Sequence, residues 1–183
     1  LHQLFSDLGY KSGLLSTVRI LIGQDVKEAT HTTPDAISIN QSLKEMVEAG
    51  CTHCFMEASS HAIVQNRVYH LDFVVAVFTN ISHDHLDYHK TFANYINAKK
   101  QLFDQLPHHA TALVNKDDKR HEIMVQNTPA TKRTFSVSQM ADYRLKILEN
   151  AFTGLILSID NTELHSMMVG EFNAYNLLAA YAV

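Results

Sequence analysis

Two stretches of the chain crowd together side chains capable of chemistry. Met56-Glu57-Ala58-Ser59-Ser60-His61 sets a carboxylate, two hydroxyls and an imidazole directly after an apolar run. Oxygen-rich sets of this kind suit hard cations such as Mg²⁺. The plainer reading is a polar loop that caps the helix after it. Thr79-Asn80-Ile81-Ser82-His83-Asp84-His85-Leu86-Asp87-Tyr88-His89 packs three histidines and two aspartates into seven residues. A surface cluster without a role is one reading. A zinc hydrolase is another, since the metallo-β-lactamase type of motif runs H-x-H-x-D-H. Here the order is H-x-H-x-D-x-H, one residue too long, which argues against a di-zinc centre. Lys99, in Tyr95-Ile96-Asn97-Ala98-Lys99-Lys100, is a third candidate. A helical lysine is ordinarily a solvated charge, and composition alone does not overturn that.

These residues need a scaffold, and the apolar periodicity supplies one. Lys11 to Ser16 reads as a short strand, and Ile20 to Thr32 as a loop with room for a hairpin. Thr33-Pro34 is expected to open a helix, the hydroxyl capping it and the proline in its first turn. Ile39, Leu43, Met46 and Val47 follow at helical spacing, and Gly50 stands where such a helix stops. Cys51 to Met56 reads as a strand that ends at Glu57, and Ala62 to Val68 as helical or irregular. Phe73 to Thr79 is apolar and β-branched, as a central parallel strand buried on both faces would be. Thr91 to Leu106 is a helix, with Phe92, Tyr95, Leu102 and Phe103 on one face and Pro107 after it. Ala110 to Val114 is a buried strand, and Glu122 to Gln126 a short helix. Arg133 to Val137, Tyr143 to Glu149, Leu155 to Asp160 and Glu163 to Met168 are strands, the last three antiparallel. The expected class is α/β: a mostly parallel sheet flanked by helices, with a small antiparallel extension. Ligands of such folds bind beyond the carboxyl ends of the strands, where Glu57 and the histidine cluster lie.

The chain has 183 residues, 46% of them hydrophobic and 19% charged, enough for one domain with a real core. A net charge of -4 gives no reason to expect nucleic acid or an anionic membrane as partner. No apolar run approaches the roughly 20 residues of a membrane span, and no signal peptide is visible. Cys51 and Cys54 form a C-x-x-C without a second pair. They are expected to be buried, reduced and structural, as suits the cytoplasm. Leu1 to Leu8 reads as a helix without its beginning, and Ala174 to Val183 as a helix that stops mid-pattern, so a fragment is expected.

Taken together, Met56 to His61, Gln65-Asn66-Arg67, Ala76 to His89 and Ala98-Lys99 resemble the Mur ligase family. Thr32-Thr33-Pro34, Asn115-Lys116-Asp117-Asp118 and Gly170-Glu171-Phe172-Asn173-Ala174-Tyr175-Asn176 fall in the family's order, so the resemblance spans essentially the whole chain. It is nearest to the branch that adds meso-diaminopimelate to UDP-N-acetylmuramoyl-L-alanyl-D-glutamate in the cytoplasm. The resemblance implies a P-loop NTPase-like central domain using ATP and Mg²⁺. ATP phosphorylates a substrate carboxylate, and the incoming amine displaces phosphate from the acyl phosphate. It further implies Glu57 and His85 as Mg²⁺ ligands, and Lys99 as a carbamylated lysine that binds or orients metal. Lys99 and His85 would be the catalytic pair. Thr32, Thr33, Ser59, Gln65 and Arg67 would hold the UDP-muramoyl dipeptide, and Asn173 and Asn176 the adenine.

Two departures stand out. His83 occupies a position where many relatives carry arginine, and it receives no role. The family's glycine-rich phosphate loop, G-T-N-G-K-T, is absent and is expected immediately before Leu1. Residues 1–183 alone are therefore expected to bind ATP poorly and to catalyse nothing. The N- and C-terminal domains are expected to be missing too, and with them the choice between diaminopimelate and lysine. A folylpolyglutamate synthase-like ligase and a non-catalytic nucleotide-sugar binding module are the competing readings.

Overall fold

A computed structural model describes residues 1–183, and its contacts divide the chain into two units, Leu1–Leu71 and Asp72–Val183. The first unit runs α1 (His2–Asp7), β1 (Ser12–Leu15), β2 (Arg19–Ile22), β3 (Asp25–Glu28), α2 (Ala36–Glu48), β4 (His53–Met56) and α3 (Ser60–Val64). Its sheet has the order β3-β2-β1-β4, with β1 and β4 parallel and β2 and β3 added antiparallel. The stretch read as a loop with room for a hairpin is thus a hairpin, turned at Gly23 with φ 59°.

The start of α2 corrects an expectation. Its cap is Asp35, whose Oδ1 accepts from the amides of Ile37 and Ser38 at 3.0 Å each. The hydroxyl of Thr33 is engaged elsewhere: it donates to the Glu57 carbonyl at 2.6 Å and accepts from the Ser59 amide at 3.0 Å. Ile39 and Met46 are 0% and 2% exposed, but Val47 is 73% exposed and does not share their face. One residue beyond Met46 is about 100° further round the helix. Gly50, at φ 81°, ends α2 as expected, with its amide on the Val47 carbonyl and that of Cys51 on Met46.

The cysteines are free, yet Cys51 is half-buried and Cys54 exposed, not buried as expected. Cys54 lies on β4, the last strand of this sheet. The sulfur is nonetheless crowded, and burial with Cys51 beside it pushes the Cys54 thiol up to about 11. Such a thiol is a poor metal ligand and nucleophile.

The second unit runs β5 (Val75–Phe78), α4 (Leu86–His89), α5 (Phe92–Asp104), β6 (Thr111–Asn115), α6 (His121–Met124), β7 (Thr131–Ser136), β8 (Tyr143–Ala151), β9 (Gly154–Ile159), β10 (Thr162–Ser166) and α7 (Glu171–Ala182). The strands follow in chain order across the sheet. β5 to β8 are parallel, and β8 to β10 form the antiparallel extension. Alternate residues feed two cores. Ala76, Phe78, Ala112 and Val114 meet Ile96 and Phe103 of α5 and Met124 of α6. Val75, Val77, Leu113 and Phe135 meet Ala174 and Leu178 of α7. The run 73–79 was expected to be a central strand buried on both faces, but β5 stands at the end of this sheet, with Ala76 and Phe78 buried and Val75 and Val77 only half-buried. No helix is long and apolar enough to cross a membrane. The architecture is α/β: parallel strands flanked by helices, with an antiparallel extension.

Candidate functional site

In the first unit the carboxyl end of β4 carries the site. The Glu57 amide bonds to the Leu15 carbonyl at 2.9 Å, extending the β1–β4 ladder into the loop. Its side chain is exposed, and Oε2 accepts from the Thr17 amide at 2.9 Å and the Thr17 hydroxyl at 2.5 Å. Thr32 Oγ1 lies 3.1 Å from Thr17 Oγ1. Thr33 is 1% exposed, so its hydroxyl serves the loop from inside. Ser59 caps α3 by accepting from the Ala62 amide at 3.2 Å.

Arg67 reaches the same loop. Its Nη1 donates to the Thr33 carbonyl at 2.7 Å, and Nε and Nη2 grip Gln65 Oε1 at 2.9 and 2.6 Å. Three of five N–H donors are thereby committed, which fixes the plane of the guanidinium and leaves two for a ligand. A pocket of ≈ 360 Å³ opens beside it, lined by His31, Asp35, Ala36, Gln65 and Arg67. Thr17, His31 and Asp35 were not singled out from the sequence. The only available signal was that His31 and Asp35 flank Thr32-Thr33-Pro34.

In the second unit the loop after β5 is pinned from β6. Asn115 Nδ2 donates to the Thr79 carbonyl at 2.8 Å, and Asp118 Oδ2 accepts from the Ile81 amide at 2.9 Å. His85 follows at φ 54°, in the left-handed region that few non-glycine residues adopt, histidine more readily than most. Its amide donates to Asp84 Oδ1 at 2.7 Å, and its Nε2 lies 3.6 Å from Asp84 Oδ2. Tyr95 gathers this group. His85 meets the ring edge-on at 5.8 Å, His89 stacks on it at 5.1 Å, and Lys99 Nζ stands 5.4 Å from its centroid. Burial holds the Lys99 amine below the ordinary lysine range, with the Asp84 charge pulling the other way. The next lysine differs: Lys100 is 8% exposed, and its Nζ bonds both oxygens of Asp104 at 2.6 Å.

The histidines do not converge. His83 stacks on Phe92 at 4.1 Å, apart from the ring that His85 and His89 share. No group of three or more His, Cys, Asp or Glu side chains could hold a metal ion. A multi-histidine zinc cage is not built here. A cation that keeps most of its waters needs only one or two carboxylates, and Glu57 Oε1 carries no protein donor while Oε2 carries two.

On α7, Asn173 and Asn176 stand one turn apart. Asn176 Nδ2 donates to Asn173 Oδ1 at 3.2 Å, and Asn173 Nδ2 to the Val169 carbonyl at 2.9 Å. Beside α7, Asp117 collects the Ser136 and Ser138 hydroxyls at 2.7 and 2.6 Å and the Val137 and Ser138 amides at 2.8 and 3.2 Å. Burial works to raise this carboxyl, but the hydroxyls and amides together hold it well below the usual carboxylate range. Tyr175, beside it, is pushed up to about 12 by burial and by the Asp117 charge.

The family model described as the Mur ligase middle domain matches residues 1–183. A UDP-N-acetylmuramoyl-L-alanyl-D-glutamate–2,6-diaminopimelate ligase of Cytophaga hutchinsonii is 55% identical over 182 residues, covering 100% of this chain and 37% of that protein. A protein of the same name from Phocaeicola vulgatus is 47% identical over 181 residues, covering 99% of this chain and 37% of that protein. A solved structure of a UDP-N-acetylmuramoyl-L-alanyl-D-glutamate–2,6-diaminopimelate ligase superposes with a TM-score of 0.84 at 29% identity, over 98% of this chain and 38% of that one. The chain therefore spans 37% of the length of these curated relatives.

Proposed function

Since the chain belongs to the Mur ligase family, matching its middle domain throughout, we propose that it is the central module of an ATP-dependent amide-forming ligase. The substrates are UDP-N-acetylmuramoyl-L-alanyl-D-glutamate and a diamino acid, meso-diaminopimelate, and the product serves peptidoglycan synthesis in the cytoplasm. The reading takes an enzyme of about the relatives' length, in which chain outside residues 1–183 supplies the phosphate loop and the contacts to the incoming amino acid. One observation carries it beyond similarity: Lys99 sits half-buried over Tyr95 with its amine held below the ordinary range. A neutral amine is what carbon dioxide requires. Its nitrogen attacks the carbon, one proton leaves to solvent, and a carbamate anion replaces a cation.

Glu57 offers a hard cation the oxygen chemistry it prefers, so the donor set fits Mg²⁺ there. Within the second unit, His85 and a carbamylated Lys99 are the metal-binding groups of this reading. Bound Mg²⁺ would neutralise charge on the transferring phosphoryl group. The protein's own groups do the rest. Arg67, locked by Gln65 and the Thr33 carbonyl, presents its free N–H groups to a substrate carboxylate or phosphate. Ser59, Thr32 and Thr33 shape the loop around it. The paired amides of Asn173 and Asn176 offer both donor and acceptor to a purine edge.

The test uses the full-length protein with ATP, Mg²⁺ and the UDP-muramoyl dipeptide. Phosphate release that requires diaminopimelate supports the reading; dependence on lysine keeps the ligase and changes its amine. No release with either, from folded protein, overturns it.

A further inference from the structure

Glu57 is held by a residue to which nothing above gives a role. Both donors on its carboxylate come from Thr17, and both fall on the same oxygen, Oε2: the amide at 2.9 Å and the hydroxyl at 2.5 Å. The Thr17 hydroxyl oxygen also lies 3.1 Å from Thr32 Oγ1. A hydroxyl has one proton to give, and an ionised carboxylate can only accept. The Thr17 hydroxyl is the donor toward both oxygens, and the shorter contact, to the ionised Glu57 carboxylate, takes the larger share of its proton. The hydroxyl contacts run outward from Thr17, to Glu57 and to Thr32.

We propose that Thr17 is a positioning residue that turns Glu57 so that Oε1 faces a divalent cation, and that it ties this carboxylate to Thr32. The inference rests on the metal reading of Glu57 given above. Two donors on one oxygen fix the plane of the carboxylate as well as its place. The backbone does not need this help. The Glu57 amide is on the Leu15 carbonyl, and the Glu57 carbonyl takes the Thr33 hydroxyl. Removing the Thr17 hydroxyl should thus leave the side chain on one donor, the Thr17 amide, free to swing about it, and spare the loop.

The test is made in the full-length enzyme with a non-hydrolysable ATP analogue and the muramyl substrate. Mn²⁺ binding is followed by electron paramagnetic resonance, with the metal-free melting temperature as control. Thr17→Val, which keeps shape and amide but loses the hydroxyl, is expected to weaken Mn²⁺ about 10-fold, as the loss of one hydrogen bond to a charged group would. Thr17→Ser is expected to restore it to within about 2-fold, and neither is expected to move the metal-free melting temperature. Unchanged Mn²⁺ affinity in Thr17→Val, or equal losses in Val and Ser, overturns the inference. Glu57→Gln separates the two levels. If it weakens Mn²⁺ while Thr17→Val does not, only the positioning role falls. If it leaves Mn²⁺ untouched, the metal reading falls and takes the inference with it.

Discussion

The side-chain nitrogen of Lys99 stands 5.4 Å from the centre of the Tyr95 ring, one turn earlier on α5. The opposite relationship, a lysine extended into solvent, is the common one on a helix. Here the ring, with His89 stacked on it, forms an apolar floor beneath the amine, and the amine loses part of its hydration.

Carbamylation should therefore set in below the ordinary lysine value of about 10.4. A depressed value means the neutral, reactive form is present at lower pH than in a free lysine, and it disappears as pH falls through the depressed range. With ¹³C-bicarbonate, a carbamate resonance is expected in the unsubstituted protein at about pH 8 and not in Lys99→Arg. Tyr95→Leu removes the floor and should shift the onset to higher pH, whereas Tyr95→Phe should keep it. Identical onsets in Tyr95→Leu and the parent would count against the ring as the cause.

Arg67→Lys should raise KM for the UDP-muramoyl dipeptide about 10-fold or more and change kcat by less than about 3-fold. A lysine cannot grip Gln65 Oε1 with two donors and still reach the Thr33 carbonyl, so the remaining charge is no longer aimed. Steady-state kinetics with the substrate varied checks this. A fall in kcat alone would place Arg67 in the chemical step instead.

Asp117→Asn should cost about 2 kcal/mol in urea denaturation at neutral pH, since a carboxylate with several donors becomes a neutral amide. The pH dependence has a definite sign. The folded-state value lies below the ordinary one, so the unfolded chain takes up its proton first as pH falls. The stabilisation is complete above about 3.9 and is lost on descending toward the depressed folded value. The gap between Asp117→Asn and the parent should narrow below that point; a constant gap would mean the contribution is steric.

Gly154→Ala should destabilise the β8–β9 hairpin. The backbone there has φ 139°, which side chains rarely adopt, and a Cβ would run into the Ser166 carbonyl of β10. A loss of about 2 kcal/mol is expected, with faster amide exchange along β9 and β10. Unaltered exchange in those strands would show that the extension absorbs the strain.

The parts of this fold that local rules govern were readable. Thr91 was expected at the start of α5 and accepts from the Asn94 amide at 3.1 Å; Gly50 was expected at the end of α2 and sits at φ 81°. The β8–β10 patch was expected from its turn signals, and Asp160 and Asn161 make that turn at φ 49° and 64°. What failed depends on residues far along the chain. Thr33 was expected to cap α2, but its hydroxyl is drawn to Glu57, 24 positions away, and Asp35 caps instead. Tyr95 was read as part of a helix face, since nothing in its neighbourhood announces that His85 and His89 will fold back on the ring. Thr17 was invisible, because its partner is 40 positions away.

Two lysines in succession spell nothing by themselves. The sequence offers no mark by which a small electrophile, or a reader, could tell Lys99 from Lys100. The helix sorts them: a step of about 100° turns one onto an aromatic ring and the other into the grip of Asp104. The occupied neighbour becomes a built-in reference for the reactive one. Any mild acylating reagent that finds α5 should mark Lys99 first, and the ratio of the two labels reports, within a single molecule, how well selectivity has been written into the rotation of one helix.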